Sequence, residues 1–392
     1  MRRAVITHAL RTPIGKFMGS FSELSAVDLG VHVVQGLLKQ SGLDPKAVDQ
    51  TIFGNARQAG GGPNPARQIA VKSGLPHETI ALTINMACAS GLKSIAMAAA
   101  EIQSGQADVI VAGGTESMTR LPYLLPRARE GYRMGHAPLV DAMYQDGFQC
   151  PLADQLMGAT AENLADKYKI GRVEQDAYAT MTQQRSEKAR KSGAFKAEIL
   201  PVPLKSKTGT ILFDQDEHAR DGVTIESMAK LKPVFRDDGT VHPGNSSGIT
   251  DGAAAVLVMT EEAAKARGYE ILGYVDGAAA AGVDPKFMGI GPVPATEKLL
   301  KRLGGTLDQF DLIELNEAFA AQVLACFRDW KCDAERVNVN GGAIALGHPI
   351  GATGARIVVT LLHAMRARGA AKGLATLCVS GGMGQSVAFS RS

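Results

Sequence analysis

Aromatic side chains are scarce in this sequence: they make up 5% of 392 residues, with a single Trp. No basic arm or basic–aromatic interleaving occurs, and the formal net charge is only +3. Both facts argue against nucleic-acid binding. Apolar runs are short, and none approaches the roughly 18 residues needed to span a bilayer. Met1-Arg2-Arg3 opens with charge, but Ala4 to Leu10 is brief and contains Thr7 and His8. That stretch reads as a first strand and not as a signal peptide. The five cysteines (Cys88, Cys150, Cys326, Cys332 and Cys378) are odd in number and widely spaced, with no CxxC pair. A disulfide framework and a zinc site are therefore not expected, and a reduced, cytoplasmic protein is.

What the chain does have is glycine, 44 residues of it, within an otherwise ordinary composition. Glycine allows tight turns and close helix–strand contact. At this length one core is too few, and two or three units are expected. Residues 1–118 alternate strand and helix. Ala4 to Leu10 is a strand, and Ser25 to Leu38 is an amphipathic helix with Ser25 as cap and Leu29, Val33 and Leu37 facing inward. Pro65 to Ser73 is a helix with Pro at its first position. Ala107 to Ala112 is a buried strand, after which Gly113-Gly114 is expected to turn the chain away. Strands separated by helices predict a mostly parallel sheet covered on both faces.

Residues 119–249 differ. Charge rises, and Leu121 to Gly147 is punctuated irregularly by Pro, Gly and Arg. Ala159 to Tyr168 and Val173 to Gly193 read as polar-faced helices, with loops at Lys205 to Thr210 and Asp214 to Gly222. This is expected to be an insertion. From 250 to 392 the small-apolar style returns and echoes the first part. In both, an Asn-bearing strand end meets a Gly-rich turn, a helix of about five turns follows, and an apolar strand runs into a double Gly. Two duplicated α/β halves are the expectation.

The stretch Asn85-Met86-Ala87-Cys88-Ala89-Ser90-Gly91 lies where the strand Ile80 to Ile84 passes into a helix. A cysteine there meets unpaired N–H groups and the positive end of the helix dipole, which favour thiolate, the nucleophilic form. Taken alone, Cys88 is more often a small buried residue packed under a helix. Three later stretches complement it. Asn316-Glu317-Ala318-Phe319 follows the strand Leu312 to Leu315. His348 sits in the glycine-dense run Gly341 to Gly354, which fits neither a P-loop nor a dinucleotide fingerprint. Cys378 ends a strand before Ser380-Gly381-Gly382, and on spacing alone it is a core residue.

Together these four stretches, in this order, resemble the thiolase family over essentially the whole chain. The resemblance implies a thiolase-like five-layered α/β/α/β/α fold of two halves with an inserted loop domain that holds coenzyme A. It implies that Cys88 attacks a thioester or 3-ketoacyl carbonyl and carries the acyl group. His348 would favour the thiolate and help hold an oxyanion, Cys378 would act as acid/base, and Asn316 would hold a water at the enolate oxygen. Backbone N–H groups of Cys88 and Ser380 would form a second oxyanion site. Arg220, Ser227 and Ser247 are implied near the nucleotide and pantetheine of CoA. Met157, Phe235, Met288, Ala318 and Phe319 are implied along the pantetheine and acyl slot.

The implied substrates are acyl-CoA and CoA, with no resident cofactor or metal, in a homodimer or homotetramer. Two positions depart from the short-chain pattern. Leu156 stands where His is frequent, which broadens the expected acyl range, and Ser380 stands where Gly is frequent. The alternatives are a decarboxylating condensing enzyme of ketoacyl-synthase type, disfavoured by Cys378, and a non-catalytic acyl-CoA-binding protein. Iodoacetamide is expected to label Cys88 before the other four cysteines, and acetyl-CoA to protect it. Peptide mass spectrometry reads this directly, and faster labelling at Cys150, Cys326 or Cys332 would contradict it.

Overall fold

The computed structural model describes residues 2–206 and 209–391. In the first half, strands β1 (Ala4–Arg11), β2 (Gln50–Gly54), β3 (Ile80–Ile84) and β4 (Val109–Ser117) alternate with helices α1 (Ala26–Ser41), α2 (Pro65–Lys72) and α3 (Ser90–Ser104). The segment up to residue 249 carries α4 (Met157–Tyr168) and α5 (Arg172–Ser192). Then come β5 (Thr250–Thr260), β6 (Gly273–Gly282), α6 (Pro292–Leu303), β7 (Leu312–Leu315) and α7 (Ala320–Trp330). The chain closes with α8 (Ile350–Arg368), β8 (Lys372–Val379) and β9 (Met383–Ser390). Local chemistry starts and stops these helices as the sequence predicts. Ser25 and Asp28 form a capping box at α1, and Gly42, Gly105 and Gly369 are left-handed caps closing α1, α3 and α8.

The strands form one ladder in the order β7-β8-β9-β6-β1-β5-β4-β2-β3, with the two-residue strand Gly15–Lys16 also on β5. Its two halves join only at β1 and β6, through Val5–Tyr274 and Ile6–Gly273. The order β3-β2-β4-β5-β1 of the first half is repeated in the second as β7-β8-β9-β6. Even β3 has a trace of a counterpart, a single parallel bridge from Ile313 to Val337. The duplication expected from the sequence is thus visible in strand order.

Alternate residues divide the layers. On β5, Ala254, Val256 and Val258 face a central core with α3 and α8, while Ala253, Ala255, Leu257 and Met259 face an outer core with α1 and α2. On β8, Ala375, Leu377 and Val379 face the same central core. Leu374 faces an outer core containing residues of α6 and α7. Five layers result, helix–sheet–helix–sheet–helix. Residues 350–362 of α8 are buried without exception, as a helix sandwiched between two sheets requires.

Three expectations are corrected. The sheet is mixed, not mostly parallel: only β2/β3, β2/β4 and β7/β8 run parallel. The inserted segment returns the chain antiparallel from β4 to β5, and a tight turn at Gly381-Gly382 joins β8 to β9. Secondly, Gly113-Gly114 lies inside β4 and turns nothing. Glycine is needed at 114 because a Cβ there would come within 2.1 Å of the Gly351 carbonyl oxygen. Thirdly, Val202–Ser206 and Gly209–Phe213 pair as an antiparallel hairpin where a loop over Lys205 to Thr210 was expected. Residues 207 and 208 of that stretch lie outside the described residues.

Helices α3 and α8 cross backbone to backbone at their first turns. A Cβ on Gly91 would meet the Ala355 nitrogen at 2.7 Å, and one on Gly354 would meet the Leu92 nitrogen at 2.2 Å. Backbone cannot step aside as a side-chain tip can. Gly354→Ala is therefore expected to cost about 3 kcal/mol, at the upper end for overpacking. Urea unfolding measures this, and a loss under ~0.5 kcal/mol would show that the crossing is loose.

Candidate active site

Cys88 lies in the single turn Ala87–Ala89 that leads into α3. The motif residues around it brace a bend. Ala87 holds a left-handed φ of 44°, unusual for a residue with a side chain. Asn85 Oδ1 accepts the Ala87 N–H at 3.0 Å, and Ser90 Oγ accepts the Met86 N–H at 2.9 Å while donating to the Ala87 carbonyl at 2.6 Å. The bend presents the sulfur to the end of β8. There the Ser380 N–H is directed at the Cys88 sulfur, as is the Cys88 N–H itself. The sequence argument for a thiolate needs amending. Burial pushes the Cys88 thiol up, against the downward pull of the Ser380 N–H, Arg57 and its own N–H.

Cys378 is fully buried on β8, and β8 packs against the turn Ala87–Ala89, so the elements carrying the two sulfurs come together from opposite halves. Burial first, and then Cys88, raises its thiol well above the ordinary range. It rests as a neutral thiol, not a ready anion.

His348 is anchored by its N–H on the Gly248 carbonyl at 3.0 Å. Its Nδ1 is 2.6 Å from Thr353 Oγ1, on the first turn of α8. The Pro349 carbonyl, 2.9 Å from that hydroxyl, already accepts N–H groups of Ala352 and Thr353. The hydroxyl has these two partners, and a proton given to Nδ1 leaves the ring proton on Nε2 as a donor. Burial, with Arg356 and Arg57 nearby, drives this imidazole down to about 3. It is neutral at working pH and brings no positive charge to Cys88.

Asn316, just after β7, is fully buried, and among the described residues neither its side-chain nitrogen nor its oxygen has a partner. An orphaned buried amide of this kind is where an ordered water is held. Its neighbour Glu317 is tied down by Tyr178, Thr182, Asn338 and the Ile344 N–H.

The residues expected along the slot are brought together. Met157 and Phe235 pack against a cluster containing Met288, Ala318, Phe319 and Cys378. The rings of Phe235 and Phe319 meet edge to face at 6.4 Å, and the Ser247 N–H donates to the Ala318 carbonyl at 3.0 Å. Arg220 and Ser227 are exposed. Arg220 is placed by its backbone N–H on Gln183 at 3.3 Å. Ser227 shares a capping box with Thr224, so its hydroxyl is already occupied.

Sequence reading missed several supports. Thr353 was legible as a hydroxyl one turn beyond His348. His218, whose ring lies against Gly248, gave no sequence signal; burial and Arg220 take it down to about 4. Arg57 and Glu116 were equally silent, because what they touch is distant in the chain.

A sheet-buried pair of helices aiming their first turns at two thiols, an imidazole and an unpartnered amide defines an acyl-handling enzyme site. The match to known proteins agrees. The thiolase N-terminal domain model matches residues 4–262, and the thiolase C-terminal domain model matches residues 269–391. An acetyl-CoA acetyltransferase of Pseudomonas aeruginosa is 53% identical over 392 residues, covering 100% of both chains. The crystal structure of the Bacillus anthracis acetyl-CoA acetyltransferase superposes with a TM-score of 0.97 at 44% identity, covering 100% of this chain and 99% of that one. Human mitochondrial 3-ketoacyl-CoA thiolase does so with a TM-score of 0.97 at 41% identity and the same coverage. The chain belongs to the thiolase family.

A ring held near 3 stays neutral through the range in which a free His titrates. Imidazole NMR of labelled enzyme is expected to show no titration of His348 between pH 5 and 8. Since its folded value lies below the unfolded 6.5, stability falls as pH drops from about 6.5 toward 3. A midpoint near 6.5 for His348 would overturn this.

Proposed function

We propose that the protein is an acetyl-CoA acetyltransferase, moving an acyl group between acetyl-CoA and a 3-ketoacyl-CoA in either direction through an acyl-cysteine at Cys88. The observation that carries this reading is the convergence of Cys88 and Cys378, with the Ser380 N–H on the first sulfur.

In the condensing direction the Cys88 thiolate attacks the carbonyl of acetyl-CoA. The carbon–sulfur bond to CoA breaks, and the CoA sulfur takes the proton of Cys378. A second acetyl-CoA then gives an α-proton to the Cys378 thiolate. The resulting enolate oxygen is met by the Nε2–H of His348 and by a water on Asn316. The enolate carbon attacks the acetyl carbonyl on Cys88, whose oxygen faces the N–H groups of Cys88 and Ser380. Collapse expels the Cys88 thiolate and releases acetoacetyl-CoA. Preorganised donors suit this path because charge appears in a space that excludes water, where losing one donor typically costs about 10²–10³ in rate. Dividing the transfer at an acyl-enzyme replaces one hard step by two easier ones.

The segment 119–249 holds the CoA, with Met157, Phe235, Met288, Ala318, Phe319 and Ser247 along the slot and Arg220 and Ser227 at its mouth. The exposed guanidinium of Arg220 suits phosphate. Leu156 in place of His allows acyl groups longer than acetyl. A cytoplasmic setting is supported by five free cysteines, and no helix among the described residues is long and apolar enough to cross a membrane. A homodimer or homotetramer is supported by apolar surface. Ile80 and Leu82 on edge strand β3 are 60% and 45% exposed, and Tyr123, Leu125, Met134 and Leu139 are exposed in the inserted segment.

Cys88→Ala is expected to abolish both acetyl-enzyme formation and cleavage of acetoacetyl-CoA by CoA. Cys378→Ala should still accept a radiolabelled acetyl group on Cys88 but lose carbon–carbon chemistry by about 10³ or more. Near-normal condensation by that variant would refute the acid/base assignment. Rates on 3-ketoacyl-CoAs of increasing length report the acyl range.

A further inference from the structure

Arg57 has no place in the mechanism above, yet it is buried close to it, at 8% exposure. Its backbone is fixed relative to Cys88. The carbonyl of the preceding Ala56 accepts the Asn85 side-chain N–H at 3.1 Å, and Asn85 holds the Ala87 N–H next to Cys88. Ala56 and Cys88 also meet in one small apolar cluster with Met118, Met143 and Ile350.

The guanidinium lies over the backbone of Gly147, in the turn Tyr144–Phe148. A Cβ on Gly147 would touch Nε at 2.8 Å and Nη2 at 3.0 Å. Nε is buried without an acceptor, and among the described residues the side chain makes no ion pair. Glu116 faces it but is otherwise engaged. Its two oxygens accept from Asn55 Nδ2 at 2.6 Å, Gly351 N at 2.8 Å, and the Ala56 and Arg57 N–H groups at 3.2 Å each. Burial nonetheless lifts the Glu116 carboxyl to about 7. Asp146, beside Gly147, is exposed. From the other half, Cys378 and His348 face Cys88, and both are uncharged.

A nearly buried cation that faces only a carboxylate hydrogen-bonded elsewhere is expensive before compensation. It is tolerated where an anion forms during the working cycle.

We propose that Arg57 is the counter-charge of the Cys88 thiolate, a positioning residue that acts through the nucleophile and does not touch substrate. Burial and Arg356 hold the His348 ring neutral and Arg57 adds to them, so the Arg57 charge favours thiolate with imidazole over thiol with imidazolium. This rests on Cys88 being the nucleophile.

The test is alkylation of Cys88 by iodoacetamide, followed by peptide mass spectrometry between pH 5.5 and 9.5, on full-length wild type, Arg57→Met and Arg57→Lys. Arg57→Met is expected to alkylate about ten-fold more slowly at pH 7, with its midpoint displaced upward and the deficit persisting to pH 9.5, because burial already holds the wild-type thiol above its ordinary value. Arg57→Lys should stay within about three-fold of wild type. A superimposable Arg57→Met profile would overturn the proposal, as would a lysine variant as slow as the methionine one. Should Arg57→Met fail to fold, Arg57→Gln is read the same way. Alkylation reports the sulfur alone, so a negative result leaves the nucleophile assignment to the Cys88→Ala experiment.

Discussion

The backbone crossing of α3 and α8 is the constraint on which the site depends. Each helix belongs to a different half, and each begins at a chemical group: Cys88 before one, His348 before the other. Gly91 and Gly354 let the first turns meet without a side chain between them. A Cβ at either position would drive the two helix starts apart, and an acyl-sized site would widen with them. Catalytic geometry is intolerant of such shifts, since a displacement of about 1 Å can cost 10²-fold. Gly114 serves the same closeness, admitting the Gly351 carbonyl against β4. The carboxylate of Glu116, in the first half, bonds the Gly351 N–H at 2.8 Å, in the second. Glycine abundance in this chain therefore reflects close approach as much as turning.

Burial then sets the chemistry. It raises both thiols and lowers the imidazole, so each group rests uncharged. A site that begins neutral holds little ground-state charge to compete with the enolate and the tetrahedral oxyanion. Under the proposed function, fixed N–H groups of Cys88 and Ser380, the Nε2–H of His348 and the Asn316 amide would be donors kept for charge that develops later. Against this background the charge proposed for Arg57 would act strongly. Charges in a dry interior are screened far less than at a surface.

Much of this was legible in the sequence. Periodicity located the principal helices, since α1 and α8 carry apolar stripes between a recognisable start and a closing glycine. The four motifs identified the thiols, the imidazole and the amide because their local chemistry is carried by adjacent residues. The parallel sheet was misread because strand direction depends on where the chain returns after the long segment between β4 and β5, and composition does not record that. Gly113-Gly114 was misread for a related reason: a glycine needed to admit a neighbour looks the same in sequence as one needed for a turn. His218, Glu116 and Arg57 escaped because their partners lie far away in the chain.

The sequence by itself determined the kinds of groups present and the local bends that expose them: the braced turn at Asn85 to Ser90, the glycine run around His348 and the hairpin after Cys378. These follow from hydrogen bonds and φ preferences spanning a few residues. Only the tertiary structure decided that the groups meet, and in which charge state. Proximity came from packing two sheets around a shared pair of helices. Protonation came from the solvent that this packing removes.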